Sequence, residues 1–294
     1  MKADKNQFYL LWAAGIVLCV ILAVFALFFS ACQKTEKPEE TGGIAIETEK
    51  PAEKPEETAA PDETAAPTEP SATEDPAPTE PPKSAVRLGE TPDAGREYLD
   101  KFVFLGDSTT YGIGYYYDHG YAELCPPSQV WTPSSGTLTL AYYSVATVVY
   151  PPTGEEIPIA DAAARAKPEI MMITLGVNGI AFMDEEWFIR DYTSLVQSIR
   201  EASPDTKIIL NSIYPVAASY ANLDQINNEK IDAANGWIEQ IAENTGCRFL
   251  NSHEALVGPD GWLPETSQNG DGLHLTGEAF TAVMQYIRTH AYYD

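Results

Sequence analysis

The chain has 294 residues, room for one or two domains, and carries 43 acidic against 18 basic side chains, a formal charge of −25. That balance argues against nucleic acid and anionic lipid as ligands, because both select basic surfaces. A neutral substrate, or one masked by acetyl groups, fits it better.

Residues 8–31 form a run of 24 without a charged side chain. A helix of that length covers the ~30 Å hydrocarbon core of a bilayer. Lys2 and Lys5 precede the run, which places that end in the cytoplasm by the positive-inside tendency. A cleaved secretory signal has an apolar core of only ~7–15 residues, so the run reads as a retained membrane anchor. The alternative is a lipoprotein signal, since Ser30-Ala31-Cys32 resembles a bacterial cleavage site that would leave lipid on Cys32. Both readings put the remainder on the extracytoplasmic face of the bacterial cell membrane.

Residues 33–97 repeat Pro, Glu, Thr and Ala, as in Glu69-Pro70-Ser71-Ala72-Thr73-Glu74. Too few large apolar side chains are present to offset the entropy of ordering them, so a disordered spacer is expected. The folded domain is expected over 98–294, where 25 acidic residues face 9 basic ones. It holds two cysteines, Cys125 and Cys247. Spacing leaves open whether they form a disulfide or stay as buried thiols.

Within the domain, short apolar runs at 102–105, 170–173, 208–210 and 248–250 read as strands. Apolar residues at three- and four-residue steps predict helices over 187–202, 226–245 and 276–290, with Gly246 ending the second. Strands alternating with helices imply an α/β fold with a parallel sheet covered on both faces. In such a sheet, ligands bind beyond the carboxyl ends of the strands.

Three motifs stand at such positions. After the first strand comes Gly106-Asp107-Ser108-Thr109. A serine on a strand-to-helix turn exposes its hydroxyl and sets its backbone N–H at a helix N-terminus, where it can donate to an oxyanion. After the run at 170–173 comes Gly176-Val177-Asn178-Gly179, whose Asn178 amide is a second candidate donor. Before the last helix stands Asp271-Gly272-Leu273-His274. There Asp271 can hold the imidazole tautomer and leave the other nitrogen to deprotonate a serine. Each motif alone has an ordinary explanation: a helix cap, a turn, a helix-start pair or a stray metal ligand.

Taken together and in this order, the motifs resemble the conserved blocks of the SGNH/GDSL hydrolases over about 102–287. The resemblance implies a three-layer α/β/α sandwich with a flavodoxin-like parallel sheet. It implies a triad of Ser108, His274 and Asp271, an oxyanion hole made by the Ser108 N–H and Asn178, and supporting roles for Gly106, Asp107 and Gly176. The family's usual glycine after its second strand, which gives a third oxyanion hydrogen bond from its backbone, has no counterpart in Tyr142-Tyr143-Ser144-Val145-Ala146-Thr147, where Ala146 is the nearest match and its N–H the candidate third donor. Gly179 stands where the family's third block commonly has Asp.

No Cys/His spacing resembles a zinc site, so neither metal nor cofactor is expected. Glu155-Glu156 and Glu185-Glu186 read as solvated surface. Tyr111, Tyr115, Tyr116, Tyr117, Trp131, Trp187 and Trp262 crowd the loops that would form the site; such rings stack on sugars or simply pack. The expected activity is that of a cell-surface serine esterase hydrolysing carboxylic esters; location suggests O-acetyl groups of wall or extracellular polysaccharide, and phospholipid and thioester substrates stay open. The alternatives are an O-acetyltransferase using the same triad, and a glycan-binding module that has lost catalysis.

Overall fold

The computed structural model describes residues 85–293. The apolar run at 8–31, Cys32 and the spacer up to 84 lie outside the described residues, as do the expectations made for them. Among the described residues no helix is long and apolar enough to cross a membrane.

A short helix, α1 (Arg96–Leu99), leads into β1 (Phe102–Gly106) and α2 (Ser108–Asp118). There follow β2 (Val130–Trp131), a hairpin of β3 (Thr147–Tyr150) and β4 (Glu155–Pro158), and α3 (Ile159–Ala166). The chain continues through β5 (Ile170–Thr174), α4 (Glu185–Ala202), β6 (Lys207–Asn211) and α5 (Asn228–Thr245). It closes with β7 (Arg248–Leu250) and α6 (Gly277–Thr289). Five strands form one sheet in the order β2-β1-β5-β6-β7, every pair parallel. With the antiparallel β3–β4 hairpin set aside, this is the flavodoxin-like order, so the fold is an α/β sandwich with a parallel central sheet.

Side chains alternate across the sheet and both faces are buried. Phe102, Phe104, Ile170, Met172, Ile209 and Leu250 pack beneath α2 and α6. Leu105, Met171, Ile173, Ile208, Leu210 and Phe249 pack beneath α3, α4 and α5. A parallel strand covered on both sides must be apolar at every position, which is why these runs stood out in the sequence. Gly246 adopts the left-handed conformation (φ 69°) that ends α5, as its position suggested. Cys125 and Cys247 are buried, free, and divided between the two core layers on opposite faces of the sheet. They form no disulfide, and burial pushes the Cys125 thiol up to about 12.

Two expectations need correction. The segment 86–97 belongs to the folded unit and not to the spacer. Val86 and Leu88 exchange backbone hydrogen bonds with Phe249, covering the free edge of β7. Arg87 donates from Nε and Nη2 to Glu239 (3.1 and 2.6 Å), and Arg288 grips Asp93 in the same two-pronged way (3.0 and 2.7 Å). The second strand of the sheet is Val130–Trp131, whereas 140–145 is a 3-10 helix. A chain beginning at Tyr98 is therefore expected to melt at least ~5 °C below one beginning at Ala85, given ~2–4 °C per kcal/mol in a domain of this size. Equal melting temperatures would show that 86–97 contribute nothing.

Candidate active site

The strand order reverses between β1 and β5, and ligands of such sheets bind at that crevice. The turns after these two strands carry Ser108 and Asn178. Gly106 makes the first turn possible: a Cβ there would lie 2.0 Å from Thr110 Oγ1 and 2.7 Å from the Thr174 carbonyl oxygen. Asp107 caps α2, and Ser108 is its first residue, where a backbone N–H has no carbonyl one turn back to bond.

Asp107 is wholly buried. Its Oδ1 accepts from the Thr109 N–H (2.9 Å) and hydroxyl (2.7 Å), and its Oδ2 accepts from Asn178 Nδ2 (3.0 Å). Burial pushes this carboxyl up to about 6, against the opposing pull of the Thr109 hydroxyl and N–H and of His274. Gly176 sits at φ 132°, and a Cβ there would come within 2.8 Å of Ile213 and 2.9 Å of Phe188. Its carbonyl accepts from the N–H groups of Gly179 (2.7 Å) and Ile180 (3.1 Å), closing the turn that presents Asn178.

From the far end of the chain, His274 Nε2 lies 2.8 Å from Ser108 Oγ, and His274 Nδ1 lies 2.6 Å from Asp271 Oδ2. With its proton on Nδ1, directed at Asp271, the ring offers the Nε2 lone pair to the serine hydroxyl. Burial would raise the Asp271 carboxyl, but the N–H groups of His274 and Leu273 and the His274 ring outweigh it and hold the group below its ordinary range. The loop is braced from both sides. Gln268 Oε1 accepts from Gly270 and Gly272. Gly272 (φ 80°) packs so tightly that a Cβ would meet Tyr220 Cα at 2.6 Å.

The structure thus brings Ser108, His274 and Asp271 into one continuous relay, with Asp107 and Asn178 beside it. It does not support Ala146 as a donor, because its N–H donates to the Tyr143 carbonyl (3.2 Å) and closes a 3-10 turn. The segment that follows β2 reaches the site instead through Leu138, whose carbonyl accepts from Asn178 Nδ2 at 3.3 Å. The other histidines are engaged elsewhere: His253 is buried against Ser212 and Ile213, and His290 stacks on Tyr286.

A cleft of about 490 Å³ opens over the relay, lined by Ser108, His274, Tyr111, Tyr115, Asn269 and Phe280 among others. Asn269 and Phe280 were not singled out in the sequence; Phe280 there belongs only to an apolar helix face. Of the tryptophans named there, Trp131 is core, Trp187 bonds Asp191, and Trp262 borders a separate cleft.

The family model described as GDSL-like Lipase/Acylhydrolase matches residues 104–281. No curated protein matches the sequence. Several solved structures are similar to this chain. A Streptococcus pneumonia protein provisionally described as a platelet activating factor has a TM-score of 0.49 and 18% identity, covering 65% of this chain and 84% of that one. A Bacteroides fragilis protein provisionally described as an acylhydrolase has a TM-score of 0.48 and 20% identity, over 68% and 89% of the two chains. A GDSL-like lipase from Bacteroides thetaiotaomicron has a TM-score of 0.47 and 21% identity, over 65% and 87%.

Both Asp107 oxygens act as acceptors, and an amide has only one. Asp107→Asn is expected to misdirect Asn178 and lower kcat on a small ester by ~10–100-fold with KM little changed, as for partial loss of an oxyanion donor. Ionisation of the buried carboxyl withdraws stability as pH rises from its unfolded value near 4 through about 6. The stability of the Asn variant relative to wild type is therefore expected to rise over pH 4–7, by on the order of 3 kcal/mol. A flat difference across that range in denaturant titrations would contradict the assignment.

Proposed function

Because the chain belongs to the GDSL-like lipase/acylhydrolase family, we propose that it is a serine esterase in which Ser108 is the nucleophile, His274 the general base and Asp271 its orienting carboxylate. The observation that carries this reading is the unbroken relay of 2.8 and 2.6 Å hydrogen bonds through His274. His274 Nε2 takes the proton of Ser108 Oγ as the oxygen adds to the ester carbonyl. Asp271, ionised at neutral pH, balances the imidazolium. The tetrahedral oxyanion accepts from the Ser108 N–H and from the Asn178 amide, which exchanges its long contact to Leu138 for the charged oxygen. His274 returns the proton to the leaving alcohol, the C–O bond breaks, and an acyl-serine remains. Water, deprotonated by the same ring, then releases the acid and restores Ser108.

The substrate we favour is a carboxylic ester of a small acyl group on a neutral carrier. Neither lysine nor arginine lines the cleft, and the domain is strongly acidic, so a phosphate-bearing carrier is disfavoured. The uncharged run at 8–31 and the Pro/Glu/Thr-rich stretch after it support action outside the cytoplasmic membrane, on wall or extracellular polysaccharide.

A fluorophosphonate probe is expected to label the wild-type protein and not Ser108→Ala. The same substitution is expected to lower kcat on p-nitrophenyl acetate at least ~10³-fold. Labelling that persists in the variant, or turnover that survives it, would remove Ser108 from the mechanism.

A further inference from the structure

The helix that begins with Ser108 also carries Tyr111 and Tyr115 along one side, four residues apart and so one above the other, and His119 caps its C-terminus. Tyr111 and Tyr115 are large rings left 54% and 44% exposed, and both line the cleft that holds Ser108 and His274. The Tyr111 and Tyr115 centroids are 6.3 Å apart with planes tilted by 33°; Tyr115 and His119 stack at 4.1 Å and 27°.

The stripe is fixed from behind. Tyr116 meets Tyr115 edge-on at 5.1 Å and is itself held by Tyr121 and Phe280. His119 Nδ1 bonds the Tyr115 carbonyl oxygen at 2.6 Å. The inner face of α2 is made thin by glycine: a Cβ on Gly112 would lie 2.4 Å from Phe280, and one on Gly114 3.0 Å from Pro127. The helix therefore sinks onto the body of the domain with its aromatic side outward. Core packing does not account for rings so exposed, and a row of exposed aromatics beside a cleft marks a ligand groove.

We propose that Tyr111 and Tyr115, the latter backed on one face by His119, form a stacking surface for a neutral polysaccharide chain, so that the ester cleaved at Ser108 is carried by a sugar within that chain. This rests on the esterase reading above. Sugar rings present apolar C–H faces that sit on the negative face of an aromatic ring, and their hydroxyls match the Asn269 amide and the tyrosine hydroxyls at the rim. Nucleic acid would also stack, but it needs a groove rich in lysine and arginine, and neither lines this one. From Ser108 to Tyr115 the helix rises roughly 10 Å at ~1.5 Å per residue, which is space for a short run of sugar units.

Affinity electrophoresis tests this apart from catalysis. Full-length protein carrying Ser108→Ala, so that the polymer stays acylated, is run in native gels containing O-acetylated xylan or O-acetylated glucomannan. Retardation is expected. Adding Tyr111→Ala and Tyr115→Ala is expected to weaken it at least tenfold in apparent Kd, whereas Tyr111→Phe with Tyr115→Phe keeps it within twofold. If the double alanine variant unfolds, Tyr111→Ala alone is read in its place. With Ser108 present, the ratio of polymer to p-nitrophenyl acetate kcat/KM should fall by a similar factor. Absence of retardation on both polymers, or retardation indifferent to the rings, overturns the platform even if Ser108 is labelled by fluorophosphonate. Ring-dependent co-sedimentation with phosphatidylcholine vesicles, without retardation on either glycan, overturns it in favour of lipid. Conversely, ring-dependent retardation by a protein that hydrolyses no ester would sustain the platform and sink the esterase.

Discussion

A carboxylate with no exposed surface sits where β1 ends, and both of its oxygens are committed. Asp107 bonds the Thr109 N–H and hydroxyl on one side and the Asn178 amide on the other. Burying this charge is costly, as its upward-shifted carboxyl shows. The three hydrogen bonds offset much of that cost and tie two turns from different strands into one rigid unit. One turn aims the Ser108 hydroxyl and N–H; the other aims the amide that would receive the oxyanion. The neighbours obey the same restriction. Thr110 must fit against Gly106, and Ile213 and Phe188 against Gly176, at distances no side chain would allow. Little freedom is left for the donors to drift, and preorganised donors act most strongly on developing charge.

The topology makes these turns adjacent. β1 and β5 are neighbours in register, with Gly106 opposite Thr174, so whatever follows the two strands emerges side by side. His274 comes from 166 residues further along the chain than Ser108. It reaches the serine only after β6, β7 and their helices have been laid down. The loop that carries it is accordingly bound to its surroundings: the Ala217 N–H donates to the Gly272 carbonyl oxygen, and Thr276 caps α6 beneath it. The relay therefore reports on the whole domain. Loosening the 268–276 loop would disturb the base without touching the nucleophile.

Much of this was legible from residue types. The four central runs were visible because both faces of a parallel sheet are buried, and the helices because one stripe of each is apolar. The grouping of Ser108, Asp271 and His274 was legible because the motifs fall at strand ends and a helix start. The rest lay in tertiary structure. β2 is only Val130–Trp131, an edge strand too short to show alternation. Missing it displaced the second block of the family pattern onto 142–147, and so promoted Ala146, whose N–H is in fact used locally. Residues 86–97 share the Pro- and Glu-rich character of the stretch before them. Their attachment depends on a free sheet edge and on Glu239 and Arg288, partners more than a hundred residues away. No local pattern announces either.

One helix links the chemistry to the groove beside it. The N-terminus of α2 supplies the Ser108 N–H, its inner face is thinned by Gly112 and Gly114, and its outer side carries Tyr111 and Tyr115. These functions are locked in phase, because each residue turns the helix by about 100°. The same rigidity that fixes the Ser108 N–H thus fixes where the two exposed rings lie relative to Ser108. Selectivity for a carrier and orientation of the reacting ester need not be separate inventions in this fold. Both follow from seating one helix closely against Phe280 and leaving its opposite side open to solvent.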